Sequence, residues 1–218
     1  MNRDRFGYAY LHGFASTPGA RKGGLFASAL ARRGLTLERP DLNAPSFRRL
    51  EHGAILARLD RLDARRAPER WRLIGSSFGG WVATRWASLH PDRVDRLVLL
   101  CPGFGLAARW PEILGAEAID AWRTRGELPF ERPDGRTEPL WWRFFEQSLS
   151  EPAAPDTPCP TLILHGVRDE VVPIESSRAY AASRPGVRLV ELDDGHPLLE
   201  TIDRVLAETL RFFGLDGE

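Results

Sequence analysis

Three separated polar motifs hold the residue types that an acyl-transfer site requires. The first is Gly75-Ser76-Ser77-Phe78-Gly79-Gly80, in which Gly75, Ser77 and Gly79 alternate. A serine nucleophile on a sharp strand-to-helix turn takes strained backbone angles, and glycine two residues to either side removes the clash. Ser76 has no such neighbours, because Ile74 and Phe78 occupy its flanking positions. The competing reading is a glycine-rich turn of a nucleotide-binding protein, but neither G-x-G-x-x-G nor a P-loop lysine is present. A neutral serine hydroxyl needs an adjacent base. His196, in Asp193-Asp194-Gly195-His196, is the candidate, against a bland role as an exposed turn residue. A third group must orient that ring and stabilise its charged form. Asp169, in His165-Gly166-Val167-Arg168-Asp169, fits, against an alternative role as a helix cap or surface acid. Glu170 is adjacent and should point elsewhere, and the turn after Leu100 reads Cys101-Pro102-Gly103, which supplies no carboxylate.

An oxyanion also needs donors. The backbone N–H of Phe78, just after the serine, is one, and the N–H of Phe14 in His12-Gly13-Phe14 is the other. His12 and His165 each precede a glycine at a strand end and read as structural hydrogen-bonding residues, while His52 and His90 read as surface positions. The five histidines are scattered without Cys or His partners at ligand spacing, so neither a metal nor another cofactor is expected.

The elements that must position these groups alternate. Strand signals at Tyr8 to Leu11, Leu35 to Glu38, Trp71 to Ile74, Val94 to Leu100, Thr161 to Leu164 and Val187 to Leu192 are separated by helical spacing. The helices are expected at Lys22 to Arg33, Phe47 to Arg66, from the glycine turn to about His90, at Ile174 to Ser183 and at Thr201 to Phe213. This order predicts an α/β fold with a mostly parallel central sheet and helices on both faces. It lapses between Pro102 and Pro158, a stretch with four of the seven tryptophans, in which Ala116 to Arg125 and Pro139 to Leu149 look helical. Residues 1–102 and 158–218 are therefore expected to form the core and residues 103–157 a helical cap insertion over the carboxyl edge of the sheet, where open α/β folds bind ligands. Trp110, Trp141, Trp142 and Phe145 are its candidates to line an apolar acyl pocket, against ordinary packing.

Composition narrows the function classes. Apolar residues make up 43% and charged residues 28%, which excludes wholesale disorder. Thirty basic side chains, Lys22 the only lysine among them, balance thirty acidic ones, which argues against a nucleic-acid binder. Two cysteines, Cys101 and Cys159, make no disulfide framework. The polar stretch Met1 to Gly7 does not read as a signal peptide, and no run approaches the roughly 20 apolar residues that span a bilayer. A cytoplasmic protein is the expectation.

Taken together, Leu11-His12-Gly13-Phe14, the serine turn, His165-Gly166-x-x-Asp169-x-x-Val172-Pro173 and Gly195-His196 resemble the α/β-hydrolase superfamily over nearly the whole chain. Tyr10 to Lys22, the run Gly75 to Gly80, and Asp169-Glu170-Val171 followed by Ala179-Tyr180 are similar to the small bacterial YqiA-type esterases. That resemblance implies hydrolysis of short-chain acyl esters or acyl-CoA thioesters by Ser77, His196 and Asp169 through an acyl-enzyme. The tryptophan-rich middle departs from the short connection expected of that group. A thioesterase or lactonase with the same triad, and a hydrolase-fold protein that binds a small molecule without turnover, are the alternatives.

Overall fold

The structure, a computed structural model, describes residues 5–216; residues 1–4, part of the polar stretch Met1 to Gly7, and residues 217–218 lie outside it. In chain order the elements are β1 (Phe6–Leu11), α1 (Arg21–Ala31), β2 (Leu37–Glu38), α2 (His52–Arg66), β3 (Arg70–Ser76), α3 (Phe78–Leu89), β4 (Val94–Leu100), α4 (Leu106–Leu114) and α5 (Ala116–Arg125). They continue with β5 (Glu127–Glu131), β6 (Thr137–Trp141), α6 (Trp142–Ser150), β7 (Thr161–Gly166), α7 (Ile174–Ala182), β8 (Val187–Leu192) and α8 (Ile202–Phe212).

Six strands form one sheet in the order β2-β1-β3-β4-β7-β8, and every pair in it is parallel. Its central strands are apolar on both faces because both are covered. In β4, Leu97 and Leu99 pack with α2 and α3, whereas Val98 and Leu100 pack with α1 and α8. That alternation is the two-residue period of an extended chain. From β1 the chain moves outward to β2, and from β3 it moves the other way to β4. The carboxyl ends of β1 and β3 therefore flank the point where the strand order reverses, and the turns after them diverge to leave a crevice.

The middle stretch differs from the expected purely helical insertion. Pro139 to Trp141 lie in β6, which pairs antiparallel with β5, and Pro129 faces Pro139 in that hairpin. Proline donates no ladder hydrogen bond, which a two-stranded ribbon with two open edges tolerates. The helix there is confined to α6, and α4 is an additional helix that starts after Gly105 at φ 69°. The long helix expected from Phe47 starts only at His52. Phe47 and Leu50 are buried at helical spacing, yet Leu50 N–H donates to the Phe47 carbonyl in a tight turn and Glu51 is extended.

The stretch from α4 to α6 packs onto the carboxyl ends of the strands and joins the apolar cluster of α2 and α3 through Trp110, Trp122, Leu140, Phe144 and Phe145. Trp81 Nε1 in α3 donates to the Pro152 carbonyl, and the Trp141 N–H donates to the Arg48 carbonyl. Cys101 and Cys159 are both free thiols. Among the described residues no helix is long and apolar enough to cross a membrane.

Candidate active site

Between β3 and α3 the chain turns on a single residue, Ser77, at φ 54° and ψ −121°. A non-glycine residue with positive φ is costly and persists only where its surroundings hold it. Here the Ser77 N–H donates to the Leu100 carbonyl at 2.9 Å, and its own carbonyl accepts from Gly80 N–H at 2.8 Å and Gly103 N–H at 2.9 Å. The flanking glycines have separate reasons. A Cβ on Gly75 would run into the Gly79 carbonyl and the Gly80 Cα, and a Cβ on Gly79 would run into the Leu11 carbonyl at the end of β1. Glycine at 75 thus lets the helix start against the strand, and glycine at 79 lets β1 approach that helix.

The β1 turn lies against the serine. A Cβ on Gly13 would stand 3.4 Å from Ser77 Cβ and 4.0 Å from its Oγ. Buried His12 aligns this turn. Leu42 N–H donates to its Nε2 at 2.9 Å, so that nitrogen is an acceptor and the proton sits on Nδ1, which donates to the Gly13 carbonyl at 2.9 Å. The Gly13 carbonyl and the Phe14 N–H belong to one trans peptide, so holding the carbonyl toward His12 turns the N–H the opposite way. Among the described residues neither the Phe14 N–H nor the Phe78 N–H has an acceptor. Phe78 opens α3, where an unpaired N–H and the positive end of the helix favour negative charge.

The third and fourth strand-end loops bring Asp169 and His196 together. Asp169 Oδ2 lies 2.7 Å from His196 Nδ1 and 3.2 Å from His165 Nε2, and Oδ1 accepts the Val171 and Val172 N–H groups at 2.8 Å each. Burial pushes this carboxyl up, but the contacts to His165, His196 and Val172 outweigh it and hold the group well below the ordinary carboxylate range. Glu170 is exposed. A Cβ on Gly166 would meet the Asp194 and Gly195 carbonyls, so glycine there admits the loop that bears His196. Buried Asp194 fixes that loop, with Oδ1 on Gly195 N–H at 2.7 Å and Oδ2 on the Thr201 N–H and hydroxyl at 2.8 Å each. Ser77 Oγ and His196 share no hydrogen bond, and neither the hydroxyl nor the His196 Nε2 has a partner among the described residues. Such contacts are often long in an unliganded site and tighten around substrate.

Beside the two phenylalanine N–H groups lies a cavity of about 100 Å³, partly open to solvent, walled mainly by Phe14, Phe78, Trp81, Leu106, Trp110 and Phe144. Of the four expected pocket aromatics only Trp110 lines it. Trp141 instead donates from Nε1 to the Leu50 carbonyl, and Trp142 and Phe145 pack against Trp122 with ring centroids 5.6 and 5.7 Å away. His52, expected at the surface, is 3% exposed and lines the cavity. It stacks on Phe144 at 4.9 Å, and burial pushes its imidazole down, toward the neutral form. Its position at the start of α2 resembles a solvated helix end, and the packing of Phe144 on α6 and of Phe78 and Trp81 on α3 covers it. His90 is partly exposed and lies 3.1 Å from Asp60. Cys101, His165 and Asp169 offer ligand atoms within 4.8 Å of one another. Those atoms are already committed to one another and to neighbours, and burial raises the Cys101 thiol far above its ordinary value. The trio reads as internal packing.

The sequence profile of an uncharacterised protein family (UPF0227) matches residues 7–214. A pimeloyl-[acyl-carrier protein] methyl ester esterase of Chromobacterium violaceum is 26% identical over 159 residues, 55% of this chain and 60% of that protein. The match thus spans less than two thirds of that esterase's length. A 2-hydroxymuconate semialdehyde hydrolase of Pseudomonas putida is 28% identical over 219 residues, 82% of this chain and 76% of that protein. Among solved structures, mouse alpha/beta hydrolase domain-containing protein 10 superposes with a TM-score of 0.77 at 19% identity, covering 95% of this chain and 89% of that one. The parallel sheet, the serine turn and this likeness give the chain the α/β-hydrolase fold.

Proposed function

The chain belongs to the uncharacterised protein family UPF0227, and from that premise we propose that it is a serine hydrolase that opens carboxylic esters with an apolar acyl group. The observation that carries this is the strained Ser77 turn, set beside two N–H groups that have no acceptor among the described residues. Such backbone strain persists where a fold holds a reacting group out for use. The names of the two relatives, an ester esterase and a hydrolase, agree with it.

In this reading substrate binds with its acyl chain in the aromatic cavity and its carbonyl oxygen toward the N–H groups of Phe14 and Phe78. His196 Nε2 takes the Ser77 proton as Oγ attacks the carbonyl carbon. Asp169 keeps the ring in the tautomer with its proton on Nδ1 and stabilises the imidazolium. The two N–H groups stabilise the oxyanion of the tetrahedral intermediate. His196 then returns the proton to the departing alcohol, and water enters by the same route in reverse to release the acid. The apolar wall favours a hydrophobic acyl or aryl group over a highly charged one.

A fluorophosphonate probe tests the assignment. It should label the folded protein at Ser77, as located by mass spectrometry, and labelling should vanish in Ser77→Ala. Active folded protein that resists the probe would overturn the reading. Rates on matched ester, thioester and lactone panels then rank the leaving groups, and tight binding without turnover would indicate a ligand-holding protein instead.

A further inference from the structure

We infer that His165 is a positioning residue for this reaction, acting on the same Asp169 oxygen as His196 and held in one tautomer by Ser177; the inference rests on the proposed triad. His165 is fully buried at the end of β7. Its Nε2 lies 2.9 Å from the Val172 carbonyl and 3.2 Å from Asp169 Oδ2. Both are acceptors only, so Nε2 must carry the proton. Nδ1 lies 2.7 Å from Ser177 Oγ, and with the ring neutral it accepts the Ser177 hydroxyl proton.

Two consequences follow for the carboxylate. The Nε2–H donates to the Val172 carbonyl and so fixes the loop whose Val171 and Val172 N–H groups hold Asp169 Oδ1. The same N–H presents its positive end to Oδ2, the oxygen that also holds His196. His165 therefore shares the negative charge that would otherwise be spent on the His196 ring alone. Removing that donor leaves the carboxylate a stronger partner for imidazolium, so protonated His196 persists to higher pH and the acid limb of kcat/KM moves upward.

Other charged and titratable groups around this pair come from every neighbouring element. Cys101 follows β4, and its thiol stays protonated because burial raises it. Lys22 on α1 acts on Asp169 and Asp194 as a nearby cation, although burial lowers it. Asp194 has its oxygens on Gly195 and Thr201, and Glu191, opposite His165 in the register with β8, is paired with Arg178. Besides His196 and His165, the Cys101 thiol also lies against the Asp169 carboxylate, and it is unchanged in every variant below.

The test compares pH profiles of kcat/KM on a p-nitrophenyl ester for the parent, His165→Gln, His165→Asn and Ser177→Ala, after thermal melting confirms folding and probe labelling confirms Ser77. Glutamine carries an amide N–H at the Nε2 position and should recover most of the activity with the parent's acid limb. Asparagine reaches only the Nδ1 position and should lose on the order of tenfold, with the limb displaced upward. Ser177→Ala removes the proton donor that fixes the tautomer and should shift the limb the same way by less. The low-field proton resonance of the His196–Asp169 bond should move in the asparagine variant and not in the glutamine one. Parent-like profiles in folded His165→Asn, or equal losses in both His165 variants with an unmoved limb, would overturn the inference. Should His165→Asn fail to fold, an unmoved limb in Ser177→Ala overturns it alone. Absence of labelling at Ser77 in the parent instead removes the triad reading itself.

Discussion

His196 Nδ1 stands 2.7 Å from Asp169 Oδ2, a contact that spans 27 residues of sequence and two adjacent strand ends. Because Oδ1 is saturated by two backbone N–H groups, Oδ2 alone is left to orient the ring. Asp169→Asn keeps the shape and removes the charge. It should lower kcat on an activated ester by about 10⁴-fold through the wrong tautomer, with thermal stability measured alongside to show an intact fold. In the parent, Asp169 stays ionised through the acid range, so activity should fall on acidification as one proton adds to the imidazole that must accept the Ser77 proton. A steeper, two-proton acid limb would contradict this.

In the proposed mechanism His12 orients the Phe14 N–H and moves no proton. His12→Asn keeps an N–H at the Nδ1 position toward the Gly13 carbonyl, whereas His12→Gln keeps only the position that meets Leu42 N–H. The asparagine variant should therefore retain more kcat than the glutamine one. The deficit of the latter should approach the ~10²–10³-fold of losing one oxyanion donor, with KM little changed. The reverse ranking in steady-state kinetics would show that the Leu42 contact matters more.

Leu106 on α4 lines the aromatic cavity and is only partly buried. Leu106→Trp should fill that space. KM should rise several-fold for octanoyl and aryl esters and stay near the parent value for acetyl esters. A uniform change across a chain-length series would place the acyl group elsewhere.

Asp63 on α2 ties three elements together. Its oxygens take Trp71 Nε1 at 2.8 Å and Arg93 at 2.6 and 3.1 Å. Burial raises its carboxyl, but Arg93 and Trp71 outweigh that and hold it below the ordinary 3.8. A depressed carboxylate contributes stability fully above its unfolded value, and that contribution is lost as pH falls through the folded one. Asp63→Asn should thus cost about 1–3 kcal/mol at neutral pH by urea unfolding. The gap to the parent should narrow from about pH 4 downward, and a gap constant to pH 2 would refute the ionic origin.

Much of this architecture is legible in the chain because its signals are local. Val94 to Leu100 and Val187 to Leu192 match β4 and β8 residue for residue, since continuous or alternating aliphatics bounded by turns need no outside context. The glycines around Ser77 are legible for the same reason, each answering a backbone contact within one strand-turn-helix unit or with the next strand. The cavity is not. His52, Phe144 and Trp110 meet only because α4 and α6 fold back over α2, and neither apolar spacing nor residue type encodes that path. Proline misled in the same region: Pro139 sits in a ribbon edge, where the tryptophan and phenylalanine spacing around it mimics a helix. Phe47 and Leu50 likewise have helical spacing while serving as the two ends of a tight turn.

The backbone at residue 77 has a cost that its hydroxyl does nothing to offset. Left-handed geometry at a residue with a side chain is worse by about 1–3 kcal/mol than the same geometry at glycine. Replacing that serine with glycine should relax the turn and yield a sturdier protein that, in the proposed mechanism, lacks its nucleophile. On the proposed mechanism, stability and reactivity pull in opposite directions at a single codon, and selection for robustness alone would erase the proposed nucleophile.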